Sequence, residues 1–486
     1  MNSKRCAVLV AFAAILSLTS CSGVKNVCTV NCGGGGNALV SVSITDTPPT
    51  NTSILSMTFP IVGVSLMDST GALQPVFSSN TPANIEMTRL QSDSDLLVLG
   101  GSVPAGTYTA VQVTMLAPTG VFVNSSAAVV NGCAIAAVCA LTQGAPTSIT
   151  YTLTSQLVLS GNQNAWLDLD FNYNNAVTST AGINVSQANV LTVKTTPPVG
   201  IPTGVLANID DFTGAVTAIS ASTITVTSTV RGSLTASFNS STTPLFDPQS
   251  QCTAGSTPAA CIQKGSIVSL QGVLTNTGGI NATSLDIIDI SPTPADEVEG
   301  TIYPSNCNGG SNYGLILSDS SISTSGSPLA TAPIGKGVCL TLGGAVIFPI
   351  DYGILTGQPG LPIGGTGFSQ STDLLAGQRI RAKITGAAAG VSGINATATA
   401  MMLRFSRLTG TINTVSSNGF TVTNLPIYII ALGGQGSVQT YVNATLFEGV
   451  ADPTGLTGTA SFTALLFNPA TVGILPPLQA AKVRQQ

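Results

Sequence analysis

The sequence contains no histidine, and only 7% of its 486 residues are charged. Without histidine the commonest general base is missing, and with it the Ser-His-Asp triad and most catalytic metal sites. The chain also lacks a Gly-x-Ser-x-Gly nucleophile elbow and a complete Walker phosphate loop. We therefore expect no catalytic residues, no metal site and no cofactor.

Positive charge and aromatic side chains are scarce as well. There are 15 Lys and Arg residues against 20 Asp and Glu residues, and aromatic residues make up 5% of the chain. An acidic chain with scattered basic residues has no electrostatic footprint for nucleic acid, so we expect no nucleic-acid partner. Few exposed rings are available to stack on sugars.

The N-terminus has a short positive head, Lys4 and Arg5, followed by an apolar run from 7 to 18. This run is shorter than the roughly 20 residues that span a bilayer, and no later run approaches that length. The layout is that of a secretory signal.

The end of this run, Leu18-Thr19-Ser20-Cys21, resembles the lipobox of bacterial lipoproteins. The resemblance implies a signal peptide over 1–20, cleaved before Cys21, whose sulfur then carries a diacylglycerol. Several acyl chains on one residue exceed the two signals that stable anchoring needs. Ser22 follows the cysteine in place of Asp, which by resemblance to the sorting rule of diderm bacteria implies the outer membrane.

Eight cysteines remain besides Cys6 and Cys21, and they lie in neighbouring pairs. Short loops close at the lowest entropic cost, so we expect neighbours to form disulfides in an oxidising compartment, although eight cysteines allow many other pairings. Zinc is disfavoured, because there is no histidine and no pair has CxxC spacing. The expected pairs are Cys28–Cys32, Cys133–Cys139, Cys252–Cys261 and Cys307–Cys339.

The first folded region shows the period-two alternation of half-buried strands, as in Val40 to Ile44. Strands without intervening helical patterns predict an antiparallel β-sandwich. The segments 43–48, 96–100, 103–108 and 167–171 resemble domain of unknown function 4382, over about 38–196. That family stands at the front of bacterial lipoproteins and has no established activity, so the resemblance implies architecture and location only.

After a Pro- and Gly-rich linker the chain repeats itself. Gly214-Ala215-Val216, Gly300-Thr301-Ile302 and Gly410-Thr411-Ile412 each open a unit, and two units share a later Ile-Asn-Ala-Thr strand, from 280 and 394. All-strand repeats of this size predict three small β-barrels or sandwiches. They resemble domain of unknown function 5666 over about 207–467, a small all-β family without assigned chemistry.

The expected fold class is all-β, with one sandwich and three barrel-like repeats joined by short linkers. The predicted segments are the signal peptide 1–20, a lipidated tether 21–37, the sandwich 38–196, a linker 197–206, repeats 207–291, 296–405 and 406–474, and a frayed tail 475–486.

Trp166, Asp168 and Asp170 share one face of a predicted strand and form the candidate ligand site. Carboxylates two residues apart on a strand lie side by side, roughly 7 Å apart, and cannot flank a scissile bond from opposite sides. We expect this strand face to be solvated. A sugar or calcium contact is the alternative.

Two other charged stretches are read in the same way. Arg379, Arg381 and Lys383 alternate with apolar residues and are expected to form a solvated strand face, with an anionic partner as the alternative. Asp296-Glu297-Val298-Glu299 is expected to keep a unit boundary solvated.

The sequence therefore favours a lipid-anchored cell-envelope protein with a non-catalytic interaction or surface-binding role. The alternative is a surface lipoprotein that binds, or less readily cleaves, polysaccharide through Trp166, Asp168 and Asp170. The expected partners are the membrane, through the lipid on Cys21, and a glycan or an envelope protein.

Overall fold

The structure is a computed structural model that describes residues 36–47, 53–92, 94–124, 128–135, 137–196, 208–228, 232–247, 249–253, 255–275, 279–291, 294–303, 313–352, 365–390, 393–430, 437–469 and 475–486. The predicted signal peptide, Cys21, the Cys28–Cys32 pair, the linker 197–206 and Cys307 lie outside these residues. No helix in the described part is long and apolar enough to cross a bilayer.

The first domain is a β-sandwich, called the sandwich below. Its strands are β1 (Asn37–Asp46), β2 (Ile54–Asp68), β3 (Leu73–Glu86), β4 (Asp95–Pro104), β5 (Gly106–Met115), β6 (Thr119–Val123), β7 (Val138–Ala140), β8 (Thr147–Leu159), β9 (Asn164–Phe171) and β10 (Leu191–Thr196). One sheet has the order β10-β9-β1-β4; the other has the order β7-β6-β2-β5-β8, with β3 paired to β2. All pairings are antiparallel except β1 with β9, which run parallel.

Apolar residues at every second position of the strands form the core of the sandwich. Val40, Val42 and Ile44 of β1 and Leu167 and Leu169 of β9 are fully buried between the two sheets. Burial of such side chains is worth roughly 1.5–3 kcal/mol each, so their period fixes which face of each strand points inwards.

Three barrels follow. Barrel 1 contains β11 (Asn208–Ile219), β12 (Thr223–Ser228), β13 (Gly232–Ser237), β14 (Leu245–Phe246), β15 (Ile267–Leu274) and β16 (Ile280–Asp289). Barrel 2 contains β17 (Asp296–Tyr303), β18 (Tyr313–Ser321), β19 (Gly337–Ile347), β20 (Arg379–Gly390) and β21 (Gly393–Arg404). Barrel 3 contains β22 (Ser406–Ser416), β23 (Gly419–Thr423), β24 (Val438–Glu448), β25 (Thr459–Leu466) and β26 (Leu478–Gln485).

The three barrels share one connectivity. Barrels 2 and 3 close in the orders β17-β18-β19-β21-β20 and β22-β23-β24-β26-β25. Barrel 1 follows the same path through β11, β12, β13, β16 and β15, although β13 meets β16 at a single residue pair. The third and fifth strands of each barrel run parallel. This is the five-stranded Greek-key connectivity of the OB fold.

The glycine that opens each repeat has a physical role. Gly214, Gly300 and Gly410 lie on the first strand of their barrels, where the second strand crosses closely. A Cβ at these positions would overlap the carbonyl oxygens of Thr227 or Ile316 in the first two barrels, and the side chain of Val422 in the third. Close backbone approach is a common reason for glycine within a strand.

The C-terminal tail is not frayed, so this prediction is wrong. Residues 478–485 form β26, which pairs with β24 and β25 and closes barrel 3. Leu478, Ala480 and Val483 are fully buried. Pro476 and Pro477, together with the basic residues beyond them, suggested a chain end. The prolines instead precede a strand, and the basic residue Lys482 within that strand is buried.

Short helices and disulfides occur in the connections. Among the described residues, the α-helices are α1 (Tyr173–Ala176), α2 (Pro258–Cys261) and α3 (Ile427–Ile430); the 3-10 helices are Met87–Gln91, Pro328–Thr331, Ser371–Asp373 and Pro453–Gly455. Two predicted disulfides, Cys133–Cys139 and Cys252–Cys261, are present. Cys339 is also disulfide-bonded.

The domains pack against one another and are not separate units on linkers. The Met87–Gln91 helix of the sandwich reaches barrel 3, where the Thr409 hydroxyl donates to Gln91 Oε1 at 3.1 Å. Gln378 of barrel 2 donates to the Leu466 carbonyl of barrel 3 at 3.0 Å. These bonds are buried and are therefore protected from competition with water.

Deleting residues 478–486 should unfold barrel 3, because β24 and β25 would each lose a partner and the buried face of β26 would leave the core. We expect a lower unfolding temperature and rapid proteolysis within 406–469, read by mass spectrometry. Deletion of Gln486 alone is the control; it removes two peripheral hydrogen bonds to β25 and no buried side chain, and should have a much smaller effect on both. A full deletion that leaves barrel 3 protease-resistant would contradict the role of β26.

Candidate functional site

The predicted ligand residues lie on β9, between β1 and β10. Leu167, Leu169 and Phe171 point into the sandwich, and Trp166, Asp168 and Asp170 point to the opposite face, as their alternation predicts. That face is covered by barrel 1, because Trp166 and Leu96 pack in one apolar cluster with Phe212 and Leu270. The relative exposures of Trp166, Asp168 and Asp170 are 6%, 1% and 7%. The expectation of a solvated strand face is therefore wrong.

The polar groups on this face form hydrogen bonds with side chains of β1 and of residues near it. The Trp166 indole donates to Ser43 Oγ at 2.9 Å, and Ser43 and Thr45 donate to the Asp168 carboxylate at 3.1 and 2.9 Å. Asp170 accepts from Thr47 Oγ1 at 2.8 Å and from Lys194 Nζ at 2.7 Å. The polar groups of Trp166, Asp168 and Asp170 therefore have partners within the sandwich. Their buried face lies against barrel 1 and offers a ligand no open surface.

Burial changes the titration of Asp168. Removal from water, and secondarily the neighbouring charge of Asp170, raise the pKa of Asp168 to about 6, against the lowering effect of Thr45, Lys194 and Ser43. Burial likewise raises the pKa of Asp46, at the end of β1, well above its ordinary value.

A larger group of charged side chains lies on the outer face of barrel 2, where the other domains meet it. We call it the central charge cluster; its members are Arg89, Asp289, Glu297, Glu299, Asp319, Asp351, Arg379, Arg381, Lys383 and Arg404.

Glu299, on β17, lies at the middle of the cluster and is completely buried. Arg379 Nε lies 2.5 Å from Glu299 Oε1, and Arg381 Nη1 and Arg404 Nε lie 3.3 and 3.8 Å from Glu299 Oε2. Arg381 Nε also contacts Glu297 Oε2 at 2.6 Å. The register of β17 and β20, which sets Glu299 opposite Arg381 and Glu297 opposite Lys383, produces these pairs.

The cluster connects barrel 2 to its neighbours. Arg89, from the 3-10 helix of the sandwich, lies 3.8 Å from Asp319. Lys383 Nζ lies 2.5 Å from Asp289 of barrel 1. Arg404 donates to the barrel 1 hydroxyls of Thr213 and Ser269 at 3.2 and 3.4 Å and pairs with Asp351 of its own barrel.

The cluster overturns two sequence-based expectations. Arg379 and Arg381 are buried and Lys383 is only partly exposed, so they form no solvated strand face. Residues 296–299 are also buried and do not keep a boundary solvated. The missed signal was complementarity: two alternating stretches of opposite charge in a chain that is otherwise nearly uncharged.

Burial also affects the acidic members. It raises the pKa of Glu297, although Arg381 opposes the shift, and it raises the pKa of Asp319 against the effect of Arg89 and Arg381. A polar cavity of about 20 Å³ lies beside the cluster, between the sandwich and barrels 2 and 3, with Gln91, Arg379 and Tyr428 in its wall. This is room for about one water molecule. The charged pairs connect neighbouring domains, and this cavity is too small for a substrate.

The part of the chain that matches a known family model is the sandwich. Residues 37–189 match the family model described as Domain of unknown function (DUF4382). The sandwich is similar to this family over most of its length. The resemblance of the barrels to domain of unknown function 5666 stays a prediction.

No curated protein matches this chain. A solved structure titled "drosophila Unr CSD456" matches at 10% identity over 57% of this chain and 97% of that chain, with a TM-score of 0.12. So low a TM-score supports no conclusion about fold or function.

Replacing Arg381 by Met should destabilise the protein by about 3–5 kcal/mol, because Glu297 and Glu299 would remain buried without their partner. Urea unfolding followed by circular dichroism and Trp166 fluorescence measures the loss. Combining Arg381→Met with Glu297→Leu also removes the carboxylate closest to Arg381, and should recover part of the lost stability. Lys264→Met, at an exposed site, is the control and should have almost no effect. Equal stability of R381M and wild type would show that the pairs of Arg381 with Glu297 and Glu299 do not stabilise the fold.

Asp168 predicts a pH dependence of stability. Its pKa is higher in the folded protein than the ordinary 3.8, so the native state holds the proton more tightly and stability falls as pH rises from about 4 to 6. Asp168→Asn should remove about 3 kcal/mol of this decline. Trp166 fluorescence in urea at several pH values measures it.

Asp68→Asn is the control for this pH series. Hydrogen bonds from Thr70 and Ala72 lower the pKa of the exposed Asp68 carboxyl, so its replacement should alter the pH profile in the opposite sense. Identical profiles for wild type and D168N would contradict the assignment to Asp168.

Proposed function

We propose that this protein is a lipid-anchored component of the cell envelope, in which a sandwich and three OB-type barrels form one rigid body with a non-catalytic interaction role. The observation that carries the proposal is the central charge cluster. In a chain with 7% charged residues, the cluster gathers acidic and basic side chains at the domain junction. Most of them pair within barrel 2, and two pairs, Arg89 with Asp319 and Lys383 with Asp289, join it to the sandwich and to barrel 1. Such pairs favour a fixed arrangement of surfaces.

The lipid anchor is supported by the sequence. The apolar run that ends in Leu18-Thr19-Ser20-Cys21 precedes the region that matches DUF4382 by a short polar and Gly-rich segment. Disulfides in the body, such as Cys133–Cys139, suit an oxidising compartment outside the cytoplasm. Ser22 supports the outer membrane as the destination. We propose Cys21 as the acceptor of the lipid.

A binding role suits the fold class. Barrels of this connectivity often bind oligonucleotides or oligosaccharides, although fold alone does not fix function. The acidic composition argues against oligonucleotides. The polysaccharide alternative through Trp166, Asp168 and Asp170 is weakened by their burial, since a glycan has no route to a covered indole.

Cys21→Ala should abolish lipidation and release the protein from membranes, because the proposed anchor depends on that one sulfur. Metabolic labelling with a fatty acid and fractionation of cells expressing each form measure both effects. Cys6→Ala is the matched control, as this residue would be removed with the signal peptide, and should leave labelling unchanged. A C21A protein that stays membrane-bound after a salt wash would overturn the anchor.

A further inference from the structure

Barrel 1 differs from its two relatives at the seam between its third and fifth strands. In barrel 2, β19 pairs with β21 from Val338 opposite Ile394 to Ile347 opposite Ala400. In barrel 1, β13 meets β16 only where Ser237 lies opposite Asn281. The chain then leaves the seam and returns as β14, with Leu245 opposite Leu285.

The excursion between β13 and β14 leaves an open cleft of about 310 Å³ beside β16. Small-molecule sites occupy roughly 300–1,000 Å³, so the cleft falls at the lower end of that range. Its lining residues are Ser237, Phe238, Asn239, Thr242, Thr243, Asn281 and Ala282. Phe238 and Ala282 are buried, and the lining contains no charged side chain.

The wall of the cleft is ordered by its own hydrogen bonds. The Asn239 carbonyl accepts from the backbone amides of Thr242 and Thr243 at 3.2 and 2.8 Å. Asn239 Oδ1 accepts from the backbone amide and the hydroxyl of Ser241 at 3.0 and 2.7 Å. A wall fixed in this way does not need a ligand to form, which lowers the entropic cost of binding.

Several polar groups of the cleft remain available. Within the described residues, the side chains of Ser237, Thr242 and Asn281 form no hydrogen bond, and all three are exposed. Two hydroxyls can each donate and accept, and the Asn281 amide offers two donors and an acceptor. This set matches a ligand whose neighbouring groups also donate and accept.

We propose that this cleft binds a neutral carbohydrate, such as the end of a glycan chain. Sugar hydroxyls match the hydroxyl and amide lining, whereas the lack of charged lining residues leaves a phosphate, a carboxylate or a cation without an oppositely charged partner to offset its loss of hydration. The inference rests on the proposed interaction role and names its ligand class. Because each sugar–protein hydrogen bond replaces one with water, we expect a dissociation constant of about 1 mM.

The test uses the full-length chain carrying Cys21→Ala, so that binding is measured independently of anchoring. Saturation-transfer NMR with maltose, cellobiose and N,N′-diacetylchitobiose probes neutral sugars, and glucose 6-phosphate and glucuronate serve as charged comparisons. We expect at least one neutral disaccharide to bind and the charged sugars not to bind. Absence of binding by all three neutral probes would overturn the proposal while leaving the anchor untouched.

The variants identify the site. Asn281→Ala should weaken binding at least tenfold, and Thr242→Trp, which fills the cleft from its exposed rim, should abolish it. Asn395→Ala is the matched control, because Asn395 begins the same Asn-Ala-Thr sequence in barrel 2, where β19 occupies the seam. Circular dichroism confirms that each variant is folded. Binding unchanged in both N281A and T242W, or weakened equally in N395A, would overturn the assignment to this cleft.

Discussion

The burial of Glu299 among three arginine side chains is the constraint on which the junction between barrels 1 and 2 depends. A carboxylate removed from water is costly unless charged partners surround it, and Arg379, Arg381 and Arg404 provide them. The arginines in turn need partners for their remaining donors. Hydroxyls on barrel 1 supply some of them, so the pairing within one barrel also orders the junction with the next domain.

The need to pair buried charges also explains why a nearly uncharged chain has charged residues at the junction between its domains. Apolar contacts bury area without specifying orientation, whereas a buried ion pair tolerates few relative positions. The Arg89–Asp319 and Lys383–Asp289 pairs join the sandwich and barrel 1 to barrel 2. We regard the cluster as a device for geometric specificity between domains. A fixed arrangement of domains is consistent with the interaction role proposed above.

The three barrels show how one connectivity yields different surfaces. Barrels 2 and 3 have long pairings along the seam of the third and fifth strands, while barrel 1 has a single residue pair and a loop excursion. The excursion opens a polar cleft without disturbing the apolar interior, which includes Ile224 and Leu285. Repeats with a common core can therefore diverge in binding capacity through one loop.

The sequence by itself determined the all-β class, the sandwich, its resemblance to DUF4382 and two of the disulfides. Alternation, repeated glycines and cysteine spacing are local signals, and local physics fixes them. Only the tertiary structure decided which strand faces that point away from their own domain core are exposed to solvent. Trp166 with Asp168, and Glu297 with Arg381, read as surface residues because their period places them outside their own domain. A second domain covers those faces, and no period within a single strand encodes which other domain packs against it.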